Sequence, residues 1–354
     1  MAPEANGRQG AARQEGPDVG ENRARDGIRR VYGLNVRSAF DFDTALPPGE
    51  GDPDLTFRCV EGPTPPLADV SDEPAFASPV RLNSGAPFMA VHSGRRMDLV
   101  RFSEVADFLV SDDQITCYLL DTAYAHMVEI HLLGAVFAYW FERRGVPMLH
   151  ASAVVVDGAA VVFVATNKGG KSSLAATALQ AGFPLLTDDV LGIDEEGEVI
   201  LGRPGYPSMR FWPDLAEHFV GGSEELPLAH PSFAKRRLGV GAGSFGSFHD
   251  EPVPLGGFYL PERRPPSHAP RDIQIQPLPV SRTVIELVRT SFLPRTVDAM
   301  GFARTRLPLL GKVAARVPAK RLIYPDGLEH LPRVREAILE DLAEARVPVG
   351  GGHP

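Results

Sequence analysis

The sequence predicts an α/β fold in which a strand–loop–helix–strand core follows a smaller strand-rich region. Three observations carry it. "ASAVVVDGAAVVFVA" at 151–165 is two β-branched runs joined by Asp157-Gly158, a strong hairpin signal. "SSLAATALQAG" at 172–182 reads as a helix stopped by Gly182, and "FPLLTDDVLGI" at 183–193 as a further apolar strand interrupted by two aspartates. Upstream, short β-favouring pieces such as "LTFRCV" and "ITCYLL" are separated by Pro, Gly and Asp clusters.

Taken in chain order, residues 1–30 are rich in Gly, Ala, Arg, Glu and Asn without apolar period, and they are expected to be a disordered tail. Residues 31–122 form the strand-rich N-terminal region. Residues 124–144 follow a helical pattern closed by Glu142, Arg143, Arg144 and Gly145. The apolar run inside it, "LLGAVFAYWF", has 10 residues, well short of the ~20 that span a bilayer, and reads as a buried helix. After the core, "DEEGEVILG" supplies a hairpin, "RPGYPSMRFWPD" a Pro-rich passage and "GGFYL" a strand, with helical patterns near 281–291, 297–316 and 331–345. Residues 123–348 therefore form one large domain.

Composition limits the function. A net charge of -9 argues against nonspecific nucleic-acid binding, which needs a surplus of Lys and Arg. The 2 cysteines, Cys59 and Cys117, lack metal or disulfide-framework spacing, and the N-terminus lacks a signal-like apolar segment. A cytoplasmic protein without a membrane partner is expected; homo-oligomerisation stays open.

The chemistry concentrates in "FVATNKGGKSS", 163–173. A phosphate-binding loop reads Gly, four residues, Gly, Lys, then Ser or Thr; Gly170, Lys171 and Ser172 match, while Ala165 stands at the first glycine. Asn167, Lys168, Gly169, Gly170 and Ser173 would offer backbone N–H groups to ATP phosphates at the start of a helix. Lys171 would reach the β and γ oxygens and the Ser172 hydroxyl would serve Mg²⁺. A ligand-free turn is the alternative, and Ala165 is tolerable only if its φ stays below zero. Asp188 and Asp189 follow one helix later, where one carboxylate would hold the metal and the other take a proton from the acceptor hydroxyl. Two adjacent acids in an apolar strand are costly to bury without a partner.

Other candidates are weaker. His150 reads equally as structural or functional. His126 and His131 do not share a helix face. "GAGSFG" at 241–246 matches GxGxxG without a flanking strand and helix, so it reads as a mobile loop. Lys235, Arg236 and Arg237 suit either a phosphate clamp or a solvated turn, and Arg210 is a candidate for an anionic group.

Residues 149–193, with the His before the hairpin, the loop after it and the Asp-Asp pair one helix later, resemble the catalytic domain of HPr serine kinase/phosphorylase. The later "GYPSMRFWP" and the C-terminal helices look like HPr-kinase-related proteins, including lasso-peptide kinases. The resemblance covers roughly residues 30–345 in layout, with specific motifs in 149–213. It implies a phosphate-loop kinase core of the HPr kinase and phosphoenolpyruvate carboxykinase type. By it Lys171 contacts phosphate, Ser172 helps hold Mg²⁺, and one of Asp188 and Asp189 is the base supported by His150. The working assignment makes Asp188 the base and Asp189 the metal ligand, an order the sequence leaves exchangeable. Two departures matter: Ala165, and a missing Gly-rich segment after the Asp pair. Ala165 bears on nucleotide affinity, while the missing segment argues against phosphorylase activity and against HPr as substrate, and points to a relative that phosphorylates another hydroxyl, of a peptide, protein or small molecule. A nucleotide-binding scaffold without transfer, and a carboxykinase-like metabolite enzyme, are the rivals.

Overall fold

The computed structural model describes residues 27–166, 168–230, 233–268 and 272–346. The strand-rich region supplies β1 (Gly27–Val31), β2 (Leu34–Ser38), β3 (Leu55–Glu61), β4 (Phe76–Ala77), β5 (Ala90–His92), β6 (Asp98–Phe102), β7 (Ala106–Val110) and β8 (Gln114–Leu119). They form one sheet in the order β1-β2-β3-β8-β7-β6-β5-β4, with the β2–β3 and β3–β8 neighbours parallel. Ile115, Cys117 and Leu119 alternate inward along β8, the period of two that one buried face imposes.

The expected tail boundary near residue 30 falls inside β1. Pairing from Gly27↔Ser38 to Val31↔Leu34 satisfies that backbone, and Arg30 reaches Glu251 at 2.7 Å. A strand edge needs backbone partners rather than an apolar period, so composition alone places the boundary too late. Residues 1–26 lie outside the described residues.

The apolar helix is α1 (Ala125–His131), a π-helical stretch Leu132–Val136, and α2 (Phe137–Arg143). It packs in one core with the first sheet, Val128, Phe137 and Phe141 meeting Phe57, Phe102 and Tyr32. Gly145 ends it at φ +81°, as the sequence predicts. His131 is buried and stacked 3.7 Å from Phe102, and burial lowers its pKa to about 3, which makes it a core side chain. Among the described residues no helix is long and apolar enough to cross a membrane.

The second sheet collects β9 (Met148–Leu149), β10 (Ala151–Val156) and β11 (Ala159–Val164). After α3 (Lys171–Gln180) come β12 (Leu185–Thr187), β13 (Leu191–Glu196) and β14 (Val199–Gly202). A small sheet follows, in which β15 (Ser208–Phe211), leading into α4 (Pro213–Val220), pairs with a flap of β16 (Leu228–His230) and β17 (Phe233–Gly239). The chain returns through β18 (Val253–Arg264), β19 (Gln274–Pro277), α5 (Val280–Arg289), α6 (Pro294–Ala299), α7 (Ala303–Arg316), β20 (Ala319–Pro325) and α8 (Leu331–Arg346). The second sheet runs β12-β10-β11-β18-β14-β13-β9, with β20 also beside β18 and β19 beside β20. This is a mixed α/β protein with several sheets.

Asp157 and Gly158 take φ of +49° and +77°, which closes the β10–β11 hairpin as expected. All 6 residues of β10 are buried because both faces are covered. Val154 and Val156 meet α3 and α8, while Ala151, Ala153 and Val155 share a core with Leu287, Leu310 and Val313 of α5 and α7.

Two expectations change, and a third segment is placed. "FPLLTDDVLGI" is two strands: β12 pairs with β10, whereas β13 pairs with β9 and β14, and the chain turns between them at Asp189, φ +85°. The 297–316 pattern breaks at Gly301, φ +73°, into α6 and α7. "GAGSFG" begins after Val240, one residue beyond β17, and is a close turn. Its Ser244 N–H donates to Gly241 O at 2.9 Å and Phe245 packs on the core.

Candidate functional site

β11 leads directly into the loop, and α3 starts at Lys171 after Gly170. Gly170 has φ +90°, and a Cβ there would lie 3.0 Å from the Tyr324 hydroxyl. Gly169 is tighter: a Cβ would come 2.4 Å from Ala165 Cβ and 3.0 Å from Thr166 O. The Ala165 methyl thus fills space that Gly169 leaves, and Ala165 keeps φ below zero, the condition its side chain requires. Asn167 lies outside the described residues. Lys168, φ +63°, accepts a hydrogen bond from Arg263 at its carbonyl and holds Nζ 5.0 Å from the Trp212 ring.

This packing makes a prediction. Gly169→Ala drives a methyl into Ala165, an overpacking of about 1–3 kcal/mol that distorts the loop; if the loop holds a nucleotide, binding should weaken by up to roughly 150-fold where the displaced loop no longer fits it. Adding Ala165→Gly should recover part of the loss. Calorimetric titration of both variants decides it; equal affinities for wild type and Gly169→Ala would show that the loop needs no such fit.

The Lys171 side chain is buried, with Nζ donating to Ala165 O at 2.9 Å and Thr166 O at 3.3 Å. Burial lowers its pKa to about 8, against the opposing pull of Asp188 and Asp189. The ammonium is therefore present below about pH 8 and lost as pH rises through it. If the loop binds a nucleotide phosphate, that affinity should then fall above pH 8, by up to about tenfold per pH unit. Lys171→Arg should flatten that slope, because a guanidinium stays charged. Titrations between pH 7 and 9.5 check this; a flat wild-type profile would detach Lys171 from phosphate binding.

The two aspartates occupy different surroundings. Asp188 is 3% exposed; Oδ1 accepts from Ser172 Oγ at 2.8 Å and Ser152 Oγ at 2.5 Å, and Oδ2 from the Arg210 N–H at 3.0 Å. Asp189 lies across the turn, with Oδ1 3.1 Å from His150 Nδ1 and Oδ2 accepting from Arg210 at 2.8 Å. Arg210 also donates to the Tyr206 hydroxyl at 3.0 Å. Burial alone would raise the Asp189 carboxyl, but Arg210 and His150 outweigh it and hold it well below the usual carboxylate range. An aspartate at positive φ stores backbone strain of about 1–3 kcal/mol, sustained here by those two partners.

These groups line a cavity of about 400 Å³. It brings together His150, Lys168, Gly169, Gly170, Lys171, Ser172, Ser173, Asp188, Asp189 and Arg210, every described residue of the sequence-derived set. Lys235 joins them, whereas Arg236 donates to Leu226 O and Arg237 pairs with Glu129 and Asp43. Sequence reasoning missed Ser152, Tyr206, Trp212 and Arg263. Trp212 carried a usable signal, standing directly before Pro213 at the start of α4. Arg263 carried none, since β18 brings it from almost a hundred residues away.

Ser172, Asp188 and Asp189 are hard oxygen donors at one end of the cavity, a set that suits Mg²⁺ sharing its coordination with a nucleotide. Among the described residues no group of three or more His, Cys, Asp or Glu converges as an all-protein metal cage.

No protein-family profile and no curated protein matches the chain. Among solved structures, the HPr(Ser) kinase/phosphatase from Coxiella burnetii aligns with 56% of this chain and 97% of its own, at 12% identity and a TM-score of 0.27.

Proposed function

We propose that the chain is an ATP-dependent phosphotransferase with an HPr-kinase-like core, transferring the γ-phosphoryl group to a hydroxyl of a peptide, protein or small molecule. One observation carries the reading. The first turn of α3 presents Lys171 and Ser172 to the same cavity as Asp188 and Asp189, and Ser172 is already hydrogen-bonded to Asp188. Loop amides and Lys171 then neutralise phosphate charge where it grows during transfer. Mg²⁺ fits beside Ser172 and Asp188, where bound with nucleotide it would offset charge on the phosphate oxygens.

This exchanges the roles first assigned to the aspartates. Asp188 sits against Ser172, whereas Asp189 sits against His150, so Asp189 becomes the group that orients the acceptor hydroxyl and takes its proton. A loose transition state asks more for orientation than for basicity, which suits a carboxylate held acidic by Arg210. That same ion pair supports the other reading, nucleotide binding without transfer.

Mass spectrometry of candidate acceptors, including products of neighbouring genes, after incubation with Mg²⁺-ATP tests the proposal. A phosphate-sized increment on an acceptor supports transfer. Bound ATP with no acceptor modified supports the binding-only reading, and no ATP binding defeats both.

A further inference from the structure

We propose that Cys59 and Cys117 form a reversible intrachain disulfide across β3 and β8, a redox modification site on the groove beside those strands. They are the chain's 2 cysteines, yet the parallel β3–β8 pairing makes them direct partners in register. Partners in a parallel pair point to the same face, and strands about 4.8 Å apart satisfy the Cα separation of about 4.4–6.8 Å that a disulfide requires. The flanking partners, Phe57 and Ile115, both point into the core; Cys117 belongs to that core and Cys59 packs at its edge.

The two thiols differ as an attacking and a resolving group should. Cys59 is half-buried and lines an open groove of about 830 Å³ beside Arg58, Glu61 and His126, whereas Cys117 is fully buried. The neighbouring Cys117 lowers the Cys59 thiol below its ordinary pKa, while Cys59 and burial push Cys117 up. The groove therefore exposes the more reactive sulfur and shields its partner.

The oxidant is a peroxide arriving through the groove. The Cys59 thiolate attacks one peroxide oxygen, forming S–O and breaking O–O, and the departing oxygen takes up a proton. Cys117 sulfur then attacks the sulfenic sulfur; S–S forms, S–O breaks, and water leaves with the Cys117 proton. The thiols lose two electrons and the peroxide gains them. In a reducing compartment such a bond is transient, and it draws the Cys59 sulfur from the groove wall toward the core.

Full-length protein treated with a few equivalents of hydrogen peroxide, then unfolded in denaturant and alkylated, should lose the mass of two hydrogens and take up no alkyl group. Peptides containing residues 59 and 117 should appear linked, and dithiothreitol should restore two alkylatable thiols. Cys117→Ala should leave Cys59 to oxidise beyond sulfenic acid or to form mixed adducts. Because that variant loses a core side chain, the wild-type peptide map stands as an independent measurement. A wild type in which Cys59 overoxidises with Cys117 still a thiol, links only between chains, or stays reduced at doses that oxidise methionine overturns the proposal.

Discussion

Lys171→Ala is expected to lower phosphoryl transfer by about 10²–10³, with ATP affinity falling by at least tenfold. The ammonium is the buried cation at the start of α3, and its donors now rest on Ala165 O and Thr166 O at the place where phosphate oxygens would compete for them. A charge-assisted hydrogen bond contributes about 1.5–3 kcal/mol net, and removing one preorganised donor from a reacting anion costs a comparable factor in rate. The fold should tolerate the change, because Thr166 is exposed and Ala165 only half-buried, so water can reach the released carbonyls. Thermal unfolding within a few degrees of wild type would establish that. Rapid-mix assays and nucleotide titration then read the effect; wild-type turnover in a folded variant would remove the loop from the mechanism.

The parts of this site that sequence makes legible are local. The Asp157-Gly158 turn, the Gly170-Lys171-Ser172 helix start and the Gly182 stop each depend on backbone preferences within a few residues, and each is found where it was expected. What escapes is set by distant packing. The φ of Asp189 depends on His150 and Arg210, brought in by β9 and β15, and nothing in "TDDV" announces that the strand must break there. Arg210 in turn is held through Tyr206, which packs on Tyr32 of the first sheet at 6.1 Å. The strand-rich region thus does more than cover a core: it buttresses the arginine that positions Asp189. The β1 boundary was misplaced for the same reason, because pairing to β2 leaves no mark on composition.

The two aspartates should separate by experiment as their surroundings separate in space. Asp188→Asn keeps the shape but replaces one acceptor oxygen with an NH₂ group facing hydroxyl or amide donors, since Ser152, Ser172 and the Arg210 N–H all point at this carboxylate. Its main effect should be a raised Mg²⁺ requirement and weaker Mg²⁺-nucleotide binding, with some cost in stability from the mismatched pair. Asp189→Asn, by contrast, leaves Ser172 and the loop intact, so nucleotide should still bind. It removes the charged acceptor that His150 and Arg210 hold in place for the acceptor hydroxyl and its proton, and transfer should fall by ~10² or more. His150→Ala should follow Asp189→Asn in direction with a smaller loss, since His150 acts through that carboxylate at 3.1 Å. Measuring transfer against Mg²⁺ concentration distinguishes the assignments. If the Asp188 variant lost transfer at every Mg²⁺ level with nucleotide affinity intact, and the Asp189 variant were rescued by excess Mg²⁺, the roles would revert to the order in which the pair was first read. If both variants transferred phosphate at the wild-type rate and with its Mg²⁺ dependence, neither carboxylate would belong to the reaction, and the cavity would be a binding site alone.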